Sequence, residues 1–158
     1  MIFEIPKEFS DQTKLWFFLA EKPFSDQQTE SISQASLQFT QEWAAHGKAL
    51  RAAIHVVQNQ ALVLMADESV QQATGCSIDK AMHFIRDWEQ KLGTRLTNRM
   101  LLPLLTKEGL RIISPDDLEK TGVFESKLWN VYVDRAGEYR RNATIPLAQS
   151  WAARYLPV

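Results

Sequence analysis

Residues 52–58, Ala52-Ala53-Ile54-His55-Val56-Val57-Gln58, and residues 61–66, Ala61-Leu62-Val63-Leu64-Met65-Ala66, decide the fold. The first run alternates loosely. The second is continuously apolar, as a strand buried on both faces would be. Asn59-Gln60 separates them at hairpin-loop length, although Gln is not the favoured second residue of a tight turn. The two runs predict adjacent antiparallel strands.

Working outward, Leu15-Trp16-Phe17-Phe18-Leu19-Ala20 is a compact aromatic-rich run that reads as a buried strand. Between it and the hairpin, Ile32, Ser36, Phe39 and Trp43 recur at i, i+4, i+7 and i+11, one stripe of a long helix. Ser25 or Asp26 is its expected N-cap and Gly47 its expected C-cap. Beyond the hairpin, Ser77 is the expected cap of a second helix with Asp79 in its first turn. Ile78, Met82, Ile85 and Leu92 form its apolar stripe, joined by Ala81 and flanked by Trp88, and Gly93 stops it. Residues 100–105 then read as a strand, and Pro103 predicts an edge position.

The order strand, helix, strand, strand, helix, strand is that of a ferredoxin-like split βαβ core, an α+β fold with two helices on one face of an antiparallel sheet. Further on, Ser114-Pro115 starts a short helix that Gly122 closes. Residues 128–133 are strand-like, residues 134–142 are charged and turn-rich, and Ser150 caps a last helical segment through Trp151 and Tyr155. The expected organisation is a core domain over 1–106 and a C-terminal extension, 107–158, packing on it.

The chain has 158 residues, 45% hydrophobic and 23% charged, with a formal net charge of −1. That is the balance of one globular domain and excludes collagen-like, coiled-coil and wholly disordered chains. A single cysteine, Cys76, rules out a disulfide framework within the chain. No apolar run approaches the ~20 residues needed to span a bilayer. Met1-Ile2-Phe3-Glu4-Ile5-Pro6 lacks the basic start and apolar stretch of a signal peptide, so a cytoplasmic protein without membrane contact is expected. The near-neutral balance also argues against a strongly basic nucleic-acid binder. Arg95, Arg99, Arg111, Arg135, Arg140 and Arg141 do make the C-terminal part basic, a surface that could face an anion.

The expected topology locates a candidate site. In a split βαβ fold the link from the first helix to the second strand and the link from the third strand to the second helix lie at one end of the sheet. Those links carry Trp43-Ala44-Ala45-His46-Gly47 and Asp67-Glu68 with Gly75-Cys76-Ser77-Ile78-Asp79. Trp43, His46, Asp67, Glu68, Cys76, Ser77 and Asp79 are therefore the expected ligand-binding set. Cys76, beside a helix N-terminus that favours a thiolate, is the candidate nucleophile. His46 would be its base, with Asp67 or Glu68 orienting the imidazole. The spacing of His and Cys matches no metal motif, so no metal is expected. None of the six glycines sits in a phosphate-binding loop or a dinucleotide fingerprint, so no nucleotide cofactor is expected.

The W-x-x-H-G and G-C-S-I-D pieces, with His83-Phe84-Ile85 and the closing Gln149-Ser150-Trp151-Ala152-Ala153-Arg154, resemble a group of small bacterial proteins labelled "ABC transporter ATPase". The resemblance spans nearly the whole chain. It implies no activity, substrate or catalytic residue, and the missing phosphate loop gives the ATPase label no physical support. The expected function is a ligand- or protein-binding module, with a thiol-dependent enzyme using Cys76 and His46 as the alternative. The expected partner is a small molecule or a protein, nucleic acid being disfavoured. Homodimerisation through a sheet edge is a further expectation.

Overall fold

A computed structural model describes residues 2–46, 51–67, 75–122 and 125–157, with side chains described for all of these except 44–46 and 75–77. The first strand, β1, is Lys14–Leu19, followed by α1, Asp26–His46. The hairpin is β2, Arg51–Val57, and β3, Ala61–Asp67. These three strands form one sheet in the order β1-β3-β2, with β3 antiparallel to both neighbours. Helix α2 is Gly75–Leu92.

The sequence put the strand around 100–105 on this same sheet. The structure pairs it elsewhere. β4, Leu102–Thr106, turns at once into β5, Gly109–Ile113, and a second antiparallel sheet forms in the order β5-β4-β6-β7. β6 is Lys127–Trp129 and β7 is Thr144–Pro146. The physical reason is local. A two-residue turn between Thr106 and Gly109 closes a hairpin at little entropic cost, and the Thr106 hydroxyl donates to the Gly109 carbonyl at 2.9 Å. β4 is thus internal to its sheet, but β5 pairs opposite Pro103 whereas β6 reaches only Leu104 and Leu105. The proline sits where β4 has a single neighbour.

The layers explain the patterning. On β3, Leu62, Leu64 and Ala66 pack against α1 and α2, in a core with Ile32, Trp43, Ala81, Ile85 and Trp88. Ala61, Val63 and Met65 face the other way, into a core shared with Leu101, Ile112, Trp129 and the N-terminal residues Phe3, Ile5 and Phe9. β3 is apolar at every position but its last because both of its faces are covered. A third core lies beyond the second sheet. There Leu102, Leu104 and Leu128 meet Leu118 of α3, Pro115–Thr121, and Leu147 and Ala152 of two short 3-10 helices, Leu147–Gln149 and Trp151–Tyr155. The second sheet therefore takes β4 from residues 1–106 and β5, β6 and β7 from residues 107–158.

Local chemistry fixes the ends. Ser25 and Gln28 form a reciprocal capping box: the Gln28 N–H donates to Ser25 Oγ at 3.0 Å, and the Ser25 N–H donates to Gln28 Oε1 at 2.9 Å. The hairpin turn centres on Gln58 and Asn59, both in the left-handed region with φ of 48° and 55°. That conformation matches the strand twist, and Asn59 tolerates it best. Asn59 also ties the turn to α1, donating to Asp26 Oδ1 and accepting from Thr29 Oγ1, both at 3.1 Å. α2 begins at Gly75, two residues before the expected cap at Ser77. The expected strand over 128–133 ends at Trp129. Asn130 breaks it by donating to the Asn142 carbonyl at 2.8 Å and accepting from the Tyr132 N–H at 3.4 Å. The charged stretch after it holds a short helix, α4, Ala136–Arg141.

Candidate functional site

The sheet end singled out by the sequence is defined by its backbone. Arg51, which opens β2, lies directly opposite Asp67, which closes β3, so the two links meet the sheet at the same end. His46 is the last residue of α1, and Cys76 and Ser77 lie in the first turn of α2. The side chains of these three, and the whole of Glu68, lie outside the described residues. Trp43 is buried in the helix-side core, stacked on Phe39 at 5.8 Å, and among the described residues its indole N–H has no hydrogen-bond partner. It is core rather than an accessible ligand contact. Asp79 is exposed on α2, where it rims a shallow groove with His83 and Asp87 over the stacked rings of Phe39 and Phe84.

Asp67 is buried, and its carboxylate accepts the Ser10 N–H at 3.1 Å. By the alternation of β3 it shares the face of Val63 and Met65, not the face that α1 and α2 cover. Residues 3–13 run along this face as a strap. The Arg51 guanidinium donates to the Glu8 carbonyl on it, and the Phe3 ring lies 5.6 Å from the ring of His55. His55 is half-buried; desolvation holds its pKa below the ordinary histidine value, against an opposing pull from Glu8. The sequence reading passed over His55 because it counted only as one residue of an alternating strand.

A second region was not foreseen. Along β1, Lys14, Trp16 and Phe18 turn their backbone groups toward β3, because the Ala20 N–H beyond them already donates to Gln60 of the hairpin turn at 2.9 Å. Leu15, Phe17 and Leu19 turn theirs outward. The chain itself satisfies the first part of this outer edge. Lys14 bridges Arg135 in antiparallel sense, the Leu15 N–H donates to the Asp134 carbonyl at 3.0 Å, and the Ala136 N–H donates to the Thr13 carbonyl at 2.9 Å. It then turns away. Among the described residues, the N–H and C=O groups of Phe17 and Leu19 on this edge have no partner.

That bare edge opens into a cleft of about 450 Å³. Met82 of α2 and Leu96 form its wall on the helix side, and Leu101 and Val131 form the wall toward the second sheet. Tyr132 stands on the rim, its phenol raised in pKa by burial against an opposing hydrogen bond from Trp151. The ends are closed by chain: the Asp134 backbone at the start of β1, and residues 94–98 past its finish. There the Lys22 N–H donates to Thr94 Oγ1 at 3.2 Å, and the Asn98 amide donates to Glu21 Oε1 at 3.1 Å. Among the described residues, no three His, Cys, Asp or Glu side chains gather as a metal site, and no helix is long and apolar enough to cross a membrane. Comparison with protein-family models, with curated proteins and with solved structures gives no match for this chain.

Proposed function

We propose that the protein is a binding module whose ligand lies in the cleft beside β1. The observation that carries this reading is the bare strand edge, with the Phe17 and Leu19 backbone groups opening between apolar walls. A cleft of this volume falls within the roughly 300–1,000 Å³ of small-ligand sites, and a few fixed polar groups in an apolar surround are what such sites use for orientation. The βαββα half also reads as a ferredoxin-like unit. In such a unit a fourth strand would lie beside β1. Here the fourth strand pairs in the second sheet, and the place beside β1 is left for something else.

The thiol-dependent alternative has less support. Asp67 accepts the Ser10 N–H on the face away from α1 and α2, and the side chains of His46 and Cys76 lie outside the described residues. The test is a ¹⁵N-resolved titration with small amide and aromatic probes, benzamide and indole. Binding is expected to shift the amides of Phe17, Leu19 and residues 96–101, and Met82→Trp, which fills the cleft, should suppress the shifts. Shifts confined to His46 and residues 76–79 would move the site back to the sheet end and overturn the proposal.

A further inference from the structure

The cleft has a polarity along its length that narrows what it can hold. Asp134 lines it at the N-terminal end of β1, where its own carbonyl takes the Leu15 N–H. Arg99 lines it beside Asn98, whose amide reaches Glu21 just past the C-terminal end of β1. Both side chains are exposed, and neither forms an ion pair or a side-chain hydrogen bond with any described residue. Between these two charges runs the bare edge of Phe17 and Leu19, with donors and acceptors at strand spacing.

Resting on the reading of this cleft as the binding site, we propose that the ligand is a short free peptide of about three to four residues. It lies extended beside β1, its amine toward Asp134 and its carboxylate toward Arg99. The length follows from geometry. From Leu15, where the Asp134 backbone already sits, to Leu19 there are four rises, about 13 Å at 3.3–3.4 Å per residue, and a tripeptide or tetrapeptide spans about 10–14 Å. The direction follows from charge: an amine at the acidic end and a carboxylate at the basic end set the guest parallel to β1. The backbone match follows from the edge, since an extended peptide offers the complementary N–H and C=O groups, as in strand addition to a sheet.

The closed ends decide against larger occupants. An internal segment of a folded protein would have to continue past the Asp134 backbone or past residues 94–98, and the chain blocks both exits. Alternate guest side chains would point toward Met82 and Leu96 on one face and Leu101 and Val131 on the other, so small or medium apolar residues are preferred.

The experiment is calorimetric and ¹⁵N-resolved titration of the full chain with Val-Ala-Val, beside its N-acetyl, C-amide and backbone N-methylated forms. The free peptide is expected to bind and to protect the Phe17 and Leu19 amides from exchange. Capping either end should weaken it about fivefold, the upper range for a solvent-exposed charge pair, and N-methylation should abolish binding. Arg99→Gln should weaken the free peptide but leave the C-amide unchanged, and Asp134→Asn should do the same for the free and N-acetyl forms. These surface substitutions leave the core intact. Equal affinity for capped and free peptides, or for the N-methylated form, overturns the peptide proposal. Binding of benzamide or indole in the cleft without binding of any peptide also overturns it, while the cleft remains the site. If neither small probes nor peptides perturb the cleft, the binding-site reading itself falls.

Discussion

His55 lies under the strap, and its burial has a consequence that can be read as a function of pH. Desolvation favours the neutral imidazole in the folded protein, and the nearby Glu8 only partly offsets it. The folded-state pKa is thus lower than the unfolded value near 6.5. The sign follows by linkage: the unfolded chain takes up the proton first as pH falls, so the stability this residue contributes is complete above pH 6.5 and is lost as pH drops through the folded value. The urea midpoint should therefore fall between pH 7.5 and pH 5, and His55→Gln should reduce that fall. An identical fall in the variant would assign the acid limb to carboxylates. At this scale the sequence pointed to His46 and Cys76 because the expected topology brings the two helix–strand links that carry them to one end of the sheet, and links carry chemistry more often than strands do. The signal for His55 was present but weaker. It shares the inward face of β2 with Ala53 and Val57, where a polar residue has to find a neighbour.

Among the elements, α4 shows how close approach outweighs propensity. A Cβ on Gly137 would stand 2.9 Å from Asp11 Cβ and 3.2 Å from the Asp11 carbonyl oxygen, and the Gly137 N–H donates to that same carbonyl at 2.9 Å. Alanine is favoured over glycine within a helix by up to about 1 kcal/mol. Overpacking against backbone and a Cβ costs about 1–3 kcal/mol, so the clash wins. Gly137→Ala should lower unfolding stability by about 1–2 kcal/mol in urea, and a gain would show that the strap moves aside at little cost. Elements with one dominant face were legible in the sequence. The stripe of Ile32, Ser36, Phe39 and Trp43 marked α1, and the doubly covered β3 announced itself by its unbroken apolar run. On α2 the buried line is Ala81, Ile85 and Trp88, slightly rotated from the expected stripe, because Trp88 turns into the core it was expected to flank. β5 was missed because Gly109 and Arg111 leave it only three apolar residues, straight after the charged turn Lys107-Glu108. Its absence from the reading is what sent β4 to the wrong sheet and hid the cleft, since a fourth strand beside β1 would have filled it.

At the scale of the whole molecule, the two sheets are joined through the strap and the helix that clamps it. The buried indole N–H of Trp129 donates to the Tyr139 hydroxyl at 2.7 Å, and that hydroxyl donates to the Phe3 carbonyl at 2.9 Å. One residue along, the Arg140 guanidinium donates to the carbonyls of Pro6 at 3.2 Å and Phe9 at 2.7 Å and pairs with Asp11 at 2.6 Å. Residues near the two ends of the chain thus close the core between the sheets, and the same stretch positions Asp134 and Arg135 against β1. Lysine cannot replace this fork, because an ammonium lacks the planar geometry that reaches several carbonyl oxygens at once. Arg140→Lys should destabilise the protein by about 1–2 kcal/mol, in the range of charge-assisted hydrogen bonds with part of the group exposed. More telling is where the effect appears. Amide exchange should rise first at Thr13 and at Leu15, whose N–H is held by Asp134, while α1 and α2 on the far face of the sheet keep their protection. A uniform rise across both faces would mean that the strap and the first sheet open only together with the whole molecule. A rise confined to the strap would show that it can lift without opening the cleft at the Asp134 end.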